Sequence, residues 1–187
     1  VSYRETVTVS ATGEGRYERL VGGEMNHGHC VVKVEPSAAN TGINVVFGVA
    51  ETKIPKQFHN VINQGVRETL EVGPLSGFPV VDAKVTVIDG SFLPDQSTEV
   101  GYRVAAGHAL RDALKGASPV LLEPLFKLEV TCPDAYVGSV VGDLNSRRAK
   151  INQISMRGEI QVIDAEAPLA NLFGYATELR SLSQGRA

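Results

Sequence analysis

The sequence has few of the features that cross-link a protein through disulfides or metal ions, or that anchor it in a membrane. Its 187 residues include only two cysteines, Cys30 and Cys132, whose separation matches no paired metal-binding spacing. We therefore expect free thiols, a cytoplasmic location and no bound metal. No apolar run approaches the ~18 residues of a membrane-spanning helix. The first residues lack the apolar core of a secretion signal, so no membrane partner is expected.

Positive charge is also scarce. The 18 Lys and Arg residues are outnumbered by 21 Asp and Glu residues, which gives a net charge of −3. This balance argues against broad electrostatic binding to nucleic acid, so any RNA contact needs local basic patches and backbone amides. The string GxxxxGK(S/T) of a phosphate-binding loop is absent. We expect no cofactor and no catalytic residue in this chain.

What is present is an ordinary globular composition with alternating strand and helix patterns. Helices are predicted after Pro55 and after Ser97, which is a good N-cap. The first helix has an apolar stripe at four-residue spacing, formed by Phe58, Ile62, Val66 and Leu70. Strands are predicted at 1–10, 16–21, 29–35, 44–49 and 79–88. The second and third strands form a hairpin with a long loop at 22–28.

From Val120 the pattern starts again. Strands are predicted at 125–131, 151–156 and 159–165, and helices after Pro133 and from Pro168. The order β-α-β-β-α is that of a split βαβ ferredoxin-like domain lacking its last strand, which leaves the strand 125–131 with an unpaired edge. The natural boundary lies at 116–119, so the sequence predicts an α+β chain of two domains, 1–118 and 119–187.

Several strings of the chain, taken in order, resemble domains IV and V of elongation factor G, a translational GTPase. The strings are YRET at 3–6, GPLSGFPVVD at 73–82, PVLLEP at 119–124, VVGDLNSRR at 140–148 and FGYATELRSL at 173–182. The resemblance covers nearly the whole chain. It implies that residues 1–118 have the fold of the second domain of ribosomal protein S5, and that residues 119–187 are the ferredoxin-like domain V.

The resemblance also implies a function. Domain IV of this family enters the decoding region of the ribosome during translocation of tRNA and mRNA, and domain V touches large-subunit RNA near the GTPase centre. GTP and Mg are then expected only in an upstream G domain of the same protein. The resemblance thus implies that the chain itself acts as a mechanical arm.

The same resemblance implies where RNA contacts lie. The first tip loop supplies Gly22, Gly23, Glu24, Asn26, His27, Gly28 and His29, and the second supplies Ser91, Phe92, Leu93 and Asp95. In domain V the candidates are Arg147, Arg148 and Lys150, whose charges equally favour the C-terminus of a helix without any RNA.

Both tip loops depart from the family pattern. Glu24 stands where the family has an arginine, and Leu93 and Pro94 stand where a histidine and an aspartate follow the aromatic residue. A carboxylate repels phosphate, and leucine donates no hydrogen bond. These departures motivate an alternative, a paralogue specialised for ribosome recycling, rescue or protection. Lineage drift in a working translocase is the simpler explanation.

Two other classes of function fit the sequence less well. The S5-like fold is shared with small-molecule kinases, but no glycine- and serine-rich phosphate loop precedes either helix of the first domain. A ligand-binding regulatory module accounts for the second half only. A metal site is disfavoured because strand alternation places His27 and His29 on one face and Cys30 on the other.

Overall fold

A computed structural model describes residues 2–187 and divides them into two compact units, Tyr3–Leu122 and Glu123–Ala187, with residue 2 grouped with the second. The first unit contains β1 (Arg4–Thr6), β2 (Ala11–Val21), β3 (Glu24–Pro36), β4 (Ile43–Phe47), α1 (His59–Leu70), β5 (Ala83–Gly90), α2 (Glu99–Gly116) and β6 (Val120–Leu122). The second contains β7 (Leu125–Pro133), α3 (Val137–Ser146), β8 (Lys150–Arg157), β9 (Ile160–Pro168) and α4 (Tyr175–Leu182). The predicted α+β class is confirmed.

The first unit is built on a four-stranded mixed sheet. Its strand order is β2-β3-β5-β4, in which β4 and β5 are parallel and the other pairs are antiparallel. Helix α1 makes the crossover between the two parallel strands, as such a pair requires. A separate two-stranded ribbon joins β1 to β6. Because β6 pairs with β1, the structural division falls after Leu122, a few residues beyond the boundary predicted at 118.

Some predicted strand limits were wrong. The strand expected at 1–10, whose first residue lies outside the described residues, is confined to Arg4–Thr6, and pairing resumes at Ala11. The strand expected from residue 79 begins at Ala83, because Asp82 adopts a positive φ of 55° that interrupts the extended backbone. Strand β6 was not predicted at all.

Helices α1 and α2 supply the core of the first unit. The predicted stripe of α1 is buried at all four positions, from Phe58 to Leu70. Helix α2 lies directly on the β2–β3 hairpin because glycines face it there. A Cβ added at Gly15 would overlap the backbone of Ala105, and one added at Gly28 would overlap the backbone of Gly101. Larger residues at these positions would push the helix off the sheet.

A buried carboxylate ties together two of the strings noted in the sequence. The Glu5 side chain is fully buried and accepts hydrogen bonds from the backbone N–H groups of Leu75 (2.8 Å), Ser76 (3.0 Å) and Phe78 (2.9 Å). The backbone of Glu5 also bonds to Pro79 and Val81. The loop at 73–80 is therefore organised around one ionisable group from β1, because charged acceptors form the stronger hydrogen bonds to amides.

The second unit is a three-stranded antiparallel sheet of order β7-β9-β8 with helices after β7 and β9. Val140 and Leu144 of α3 are fully buried against this sheet. The element order and the pairing of β9 with both other strands confirm the predicted ferredoxin-like arrangement without its last strand. Among the described residues, β7 pairs with β9 alone. Helix α4 starts at Tyr175 and not near Pro168, because Gly174 with a φ of 73° precedes it.

Candidate nucleic-acid interface

The β2–β3 hairpin projects from the sheet. β3 pairs with β2 from Glu24 to Val34, but with β5 only from Cys30 onward. Residues 24–29 of β3 continue beyond its pairing with β5, but residues 27–29 are held by the segment 91–98 and by α2. The free end of the hairpin is therefore the turn and the first cross-strand pairs behind it. This projection is the first of the two predicted tip segments.

The tip of the hairpin is a two-residue turn, and the long loop predicted at 22–28 is wrong. Gly22 and Gly23 have φ values of 60° and 84°, and strand pairing resumes at Glu24 opposite Val21. Positive φ at both central positions is the requirement of a primed hairpin turn, which two glycines meet at no steric cost. The tip is consequently an ordered ribbon.

The side chains nearest the turn are apolar and acidic, and the first exposed cation behind them is Arg19, opposite Asn26. Leu20 and Met25 pair across the strands with exposed fractions of 65% and 36%, and Val21 is also exposed opposite Glu24. Glu24 is exposed, so its charge stands at the leading end. The tip therefore offers backbone and apolar contact more than cationic contact.

His27 lies inside the structure and is not a free donor at the tip. Its side chain is fully buried, and Nδ1 is 2.8 Å from the hydroxyl of Ser97. Nε2 has no hydrogen-bond partner among the described residues and lies 3.8 Å from the Glu18 carboxylate. Burial lowers the pKa of His27, against the opposing effect of Glu18, and the charges of Arg16 and His29 lower it further. The neutral ring is thus the form that the fold favours.

His29 is also buried and bridges three elements. Nε2 donates to Oε1 of Glu14 on β2 at 2.6 Å, and Nδ1 is 2.8 Å from the hydroxyl of Ser91. The carboxylate acts only as an acceptor, which fixes the proton on Nε2. Gly28, between the two histidines, is buried against α2. The predicted RNA contacts of His27, Gly28 and His29 are therefore replaced by internal contacts.

The second tip segment follows β5 and is partly folded into the core. Phe92 packs against Phe58 with ring centroids 5.9 Å apart, and the carbonyl of Ser91 accepts from the Tyr102 hydroxyl at 2.6 Å. Burial raises the pKa of the Tyr102 phenol. Leu93 and Asp95 remain exposed. Of the predicted contacts in this segment, these two are the ones that face outward.

The two tip segments are joined to each other, which sequence reasoning missed. The His27 N–H donates to the Gln96 carbonyl at 2.9 Å, and the Thr98 N–H donates to the His27 carbonyl at 3.1 Å. The Thr98 hydroxyl donates to Oδ1 of Asn26 at 2.9 Å and accepts from the N–H of Gly101, so Thr98, not Ser97, is the N-cap of α2. The sequence did hold one signal of this joint. Ser97 and Thr98 are adjacent and either can cap a helix, so the residue that does not cap α2 is available to bond to another segment.

The three predicted cations of the second unit have different environments. Arg147 is mostly buried. Its guanidinium donates to Asp143 (3.0 Å) and to the carbonyl of Asn171 (2.9 Å), and it lies 5.0 Å from the centre of the Tyr175 ring. Arg148 is 70% exposed with Glu123 at 3.9 Å, and Lys150 is exposed at the start of β8. Arg147 is thus an internal support, and the other two face outward.

The described residues offer little support for a metal site, a membrane-spanning helix or a reactive thiol. Residues 2–187 contain no group of three or more side chains placed to hold a metal ion. Over the same residues, no helix combines the length and apolar character that crossing a bilayer requires. Cys30 and Cys132 are both free and buried. Burial raises the pKa of the Cys30 thiol to about 12.

The fold places the protein in the class that has an S5-domain-2-like α/β unit followed by a ferredoxin-like unit. Two family models match the chain in this order, "Elongation factor G, domain IV" over residues 1–118 and "Elongation factor G C-terminus" over residues 120–187. Elongation factor G of Thermotoga maritima is 47% identical over all of this chain, and that of Fervidobacterium nodosum is 46% identical. A crystal structure of a protein from Thermus thermophilus matches 98% of the chain and 27% of its own with a TM-score of 0.88 and 33% identity.

The chain therefore belongs to the elongation factor G family. It spans 27% of the length of the Thermotoga maritima and Fervidobacterium nodosum relatives. The matched part consists of domain IV and the C-terminus, and not of the G domain.

Proposed function

We propose that this chain is the ribosome-engaging part of an elongation factor G-type translational GTPase and promotes translocation of tRNA and mRNA. The observation that carries the proposal is the match of both units, in order and over the whole chain, to elongation factor G sequences. The ordered hairpin tip supports it, because a paired ribbon that ends in a tight two-glycine turn is suited to entering a narrow site on a large partner.

The work of the chain is steric. Residues 22–24 at the hairpin turn and Leu93 and Asp95 in the second tip segment are proposed to contact the decoding region. Arg148 and Lys150 are proposed to contact large-subunit RNA near the GTPase centre. Buried His27, His29 and Arg147 hold these contacts in place. The chain is not itself an enzyme in this proposal.

GTP and Mg belong to a G domain upstream in the same protein, which is a partner of this chain. The sequence of this chain contains no phosphate-binding loop that fits a nucleotide. The complete protein works in the cytoplasm, where ribosomes translate.

The alternative function, a paralogue for ribosome recycling, rescue or protection, rests on the two tips. Glu24 and Leu93 are both exposed at positions where the family pattern has side chains that donate to RNA. A tip that repels phosphate still blocks a site, but it makes weaker contact with a moving tRNA–mRNA duplex.

The test uses the complete protein that carries this chain. Co-sedimentation with ribosomes in the presence of a non-hydrolysable GTP analogue measures binding, and a single-round assay of mRNA movement measures translocation. Binding with translocation supports the main proposal. Binding without translocation supports the specialised paralogue, provided that the substitution Leu93→His restores translocation. Absence of binding would refute both.

A further inference from the structure

A groove between α1 and α2 lies within the first unit and shares no residue with the two tip segments. Its floor is made of small residues, because Gly65 and Gly107 allow the two helices to approach closely. A Cβ at Gly107 would sit 3.0 Å from the hydroxyl of Thr69, and one at Gly65 would meet the backbone of Arg103. The cavity is lined by Gly65, Glu68, Thr69, Arg103, Val104, Gly107, His108 and Arg111.

The rim of this groove is cationic. Arg103, Arg111 and Lys115 follow one another along α2 at spacings of eight and four residues, which places them on one side of the helix. Arg111 also lines a second cavity, next to the first, together with Lys115. The exposed His108 lies between them. The two adjoining cavities therefore form one continuous basic strip.

The acidic groups near Arg111 and Lys115 are bonded to other groups, and one of them neutralises Arg103. Glu68, the one carboxylate that lines either cavity, accepts from Arg103 at 2.6 and 3.1 Å. Asp112 is turned away, since its carboxylate accepts from the backbone N–H of Glu14 on β2. The side chains of Arg111 and Lys115 have no hydrogen-bond or ion-pair partner among the described residues. Many other cations of the chain are paired, for example Lys53 with Asp89 at 2.8 Å.

We propose that the α1–α2 groove is a second RNA-binding surface, which holds the phosphodiester backbone through Arg111 and Lys115, with His108 beside them. Two unpaired cations on one face, in a chain whose net charge is −3, form the local basic patch that phosphate binding requires. The groove reads no base sequence, because long cationic side chains neutralise phosphates and do not select bases.

The experiment measures binding of the full chain to purified ribosomes over a range of salt concentrations. The double variant Arg111→Gln/Lys115→Gln is compared with the wild type. The matched control is Lys56→Gln/Lys84→Gln, which removes two cations of the same unit that also lack a partner in the described structure and lie outside the groove. All three proteins are first shown to have the same thermal unfolding midpoint.

Loss of two phosphate contacts lowers the slope of log affinity against log salt by about 1.4 to 1.8, and weakens binding roughly tenfold at low salt. The control variant is expected to match the wild type. Equal behaviour of both variants would overturn the proposal. A weaker affinity with an unchanged slope would overturn it as well, because the groove would then contact protein.

The proposal is independent of the proposed function, and a second binding partner separates the two. A short RNA duplex free of protein is titrated with the same three chains. Salt-dependent binding of the duplex that is lost only in the groove variant supports the groove even where ribosomes are not bound. Binding of ribosomes by all three chains alike supports the proposed function and refutes the groove.

Discussion

Replacement of Glu5 is the sharpest test of how the first unit is held together. The carboxylate accepts three backbone hydrogen bonds of 2.8 to 3.0 Å and is fully buried. Hydrogen bonds to a charged group contribute about 1.5–3 kcal/mol each. The loss should be smaller than the sum of the three, because water bonds to part of the loop when the side chain is removed. We therefore expect Glu5→Ala to lower the free energy of unfolding of the first unit by about 3–5 kcal/mol. Glu5→Gln is expected to lower the free energy of unfolding by less than Glu5→Ala does, because the glutamine amide keeps one acceptor oxygen.

Hydrogen exchange measures this change at the site itself. In the wild type we expect the amides of Leu75, Ser76 and Phe78 to be protected, and in Glu5→Ala we expect them to exchange much faster than the amides of α2. Glu51→Ala serves as the control, because Glu51 is exposed and forms no hydrogen bond or ion pair in the described structure. A loss below about 1 kcal/mol, with these amides still protected, would refute the reasoning.

Three further predictions concern buried groups. Because the pKa of His27 is lowered on folding, the unfolded chain binds more protons than the folded chain as the pH falls. The free energy of unfolding, measured by urea titration, should therefore fall between pH 7 and pH 5, and it should fall less in His27→Asn. Gly28→Ala places a methyl group into the backbone of Gly101 and should cost roughly 1–3 kcal/mol by the same assay, with an unchanged free energy refuting the close approach. Arg147→Gln should destabilise the second unit by about 1–3 kcal/mol, whereas exposed Arg148→Gln should leave its melting temperature unchanged and weaken only ribosome binding.

Local sequence rules predicted what depends on local physics. The stripe from Phe58 to Leu70 indicated α1 because one helix face must be apolar to be buried, and all four residues are buried. The β-α-β-β-α order of the second unit followed in the same way from its alternating patterns. These signals repeat over many residues, so small errors at the ends do not change the outcome.

Contacts between distant residues were not predictable in this way. The pairing of β1 with β6 joins residues more than 110 positions apart, as Arg4 opposite Leu122 shows. The carboxylate of Glu5 has no local signature, because its partners are backbone amides 70 to 73 residues away. The same holds for Arg147: its neighbours in the sequence indicate a surface cation, whereas its guanidinium donates to the Asn171 carbonyl.

The first tip was mispredicted for a different reason. A glycine-rich string was interpreted as a flexible loop, although Gly22-Gly23 between two strand patterns is also the signal of a tight primed turn. The choice matters for function. A loop adapts to its partner, whereas a paired ribbon presents fixed groups.

This fixed geometry separates two kinds of tip residue. The turn itself carries no side chains, and the first exposed pairs behind it are Val21 with Glu24 and Leu20 with Met25. Such an end fits a partner by shape and apolar contact, since Glu24 repels phosphate. His27, behind the exposed pairs, sets the position of the ribbon relative to the second tip segment through Ser97. Changes at Glu24 should therefore alter binding alone, whereas changes at His27 should alter stability and binding together, because only His27 belongs to the joint between the two segments.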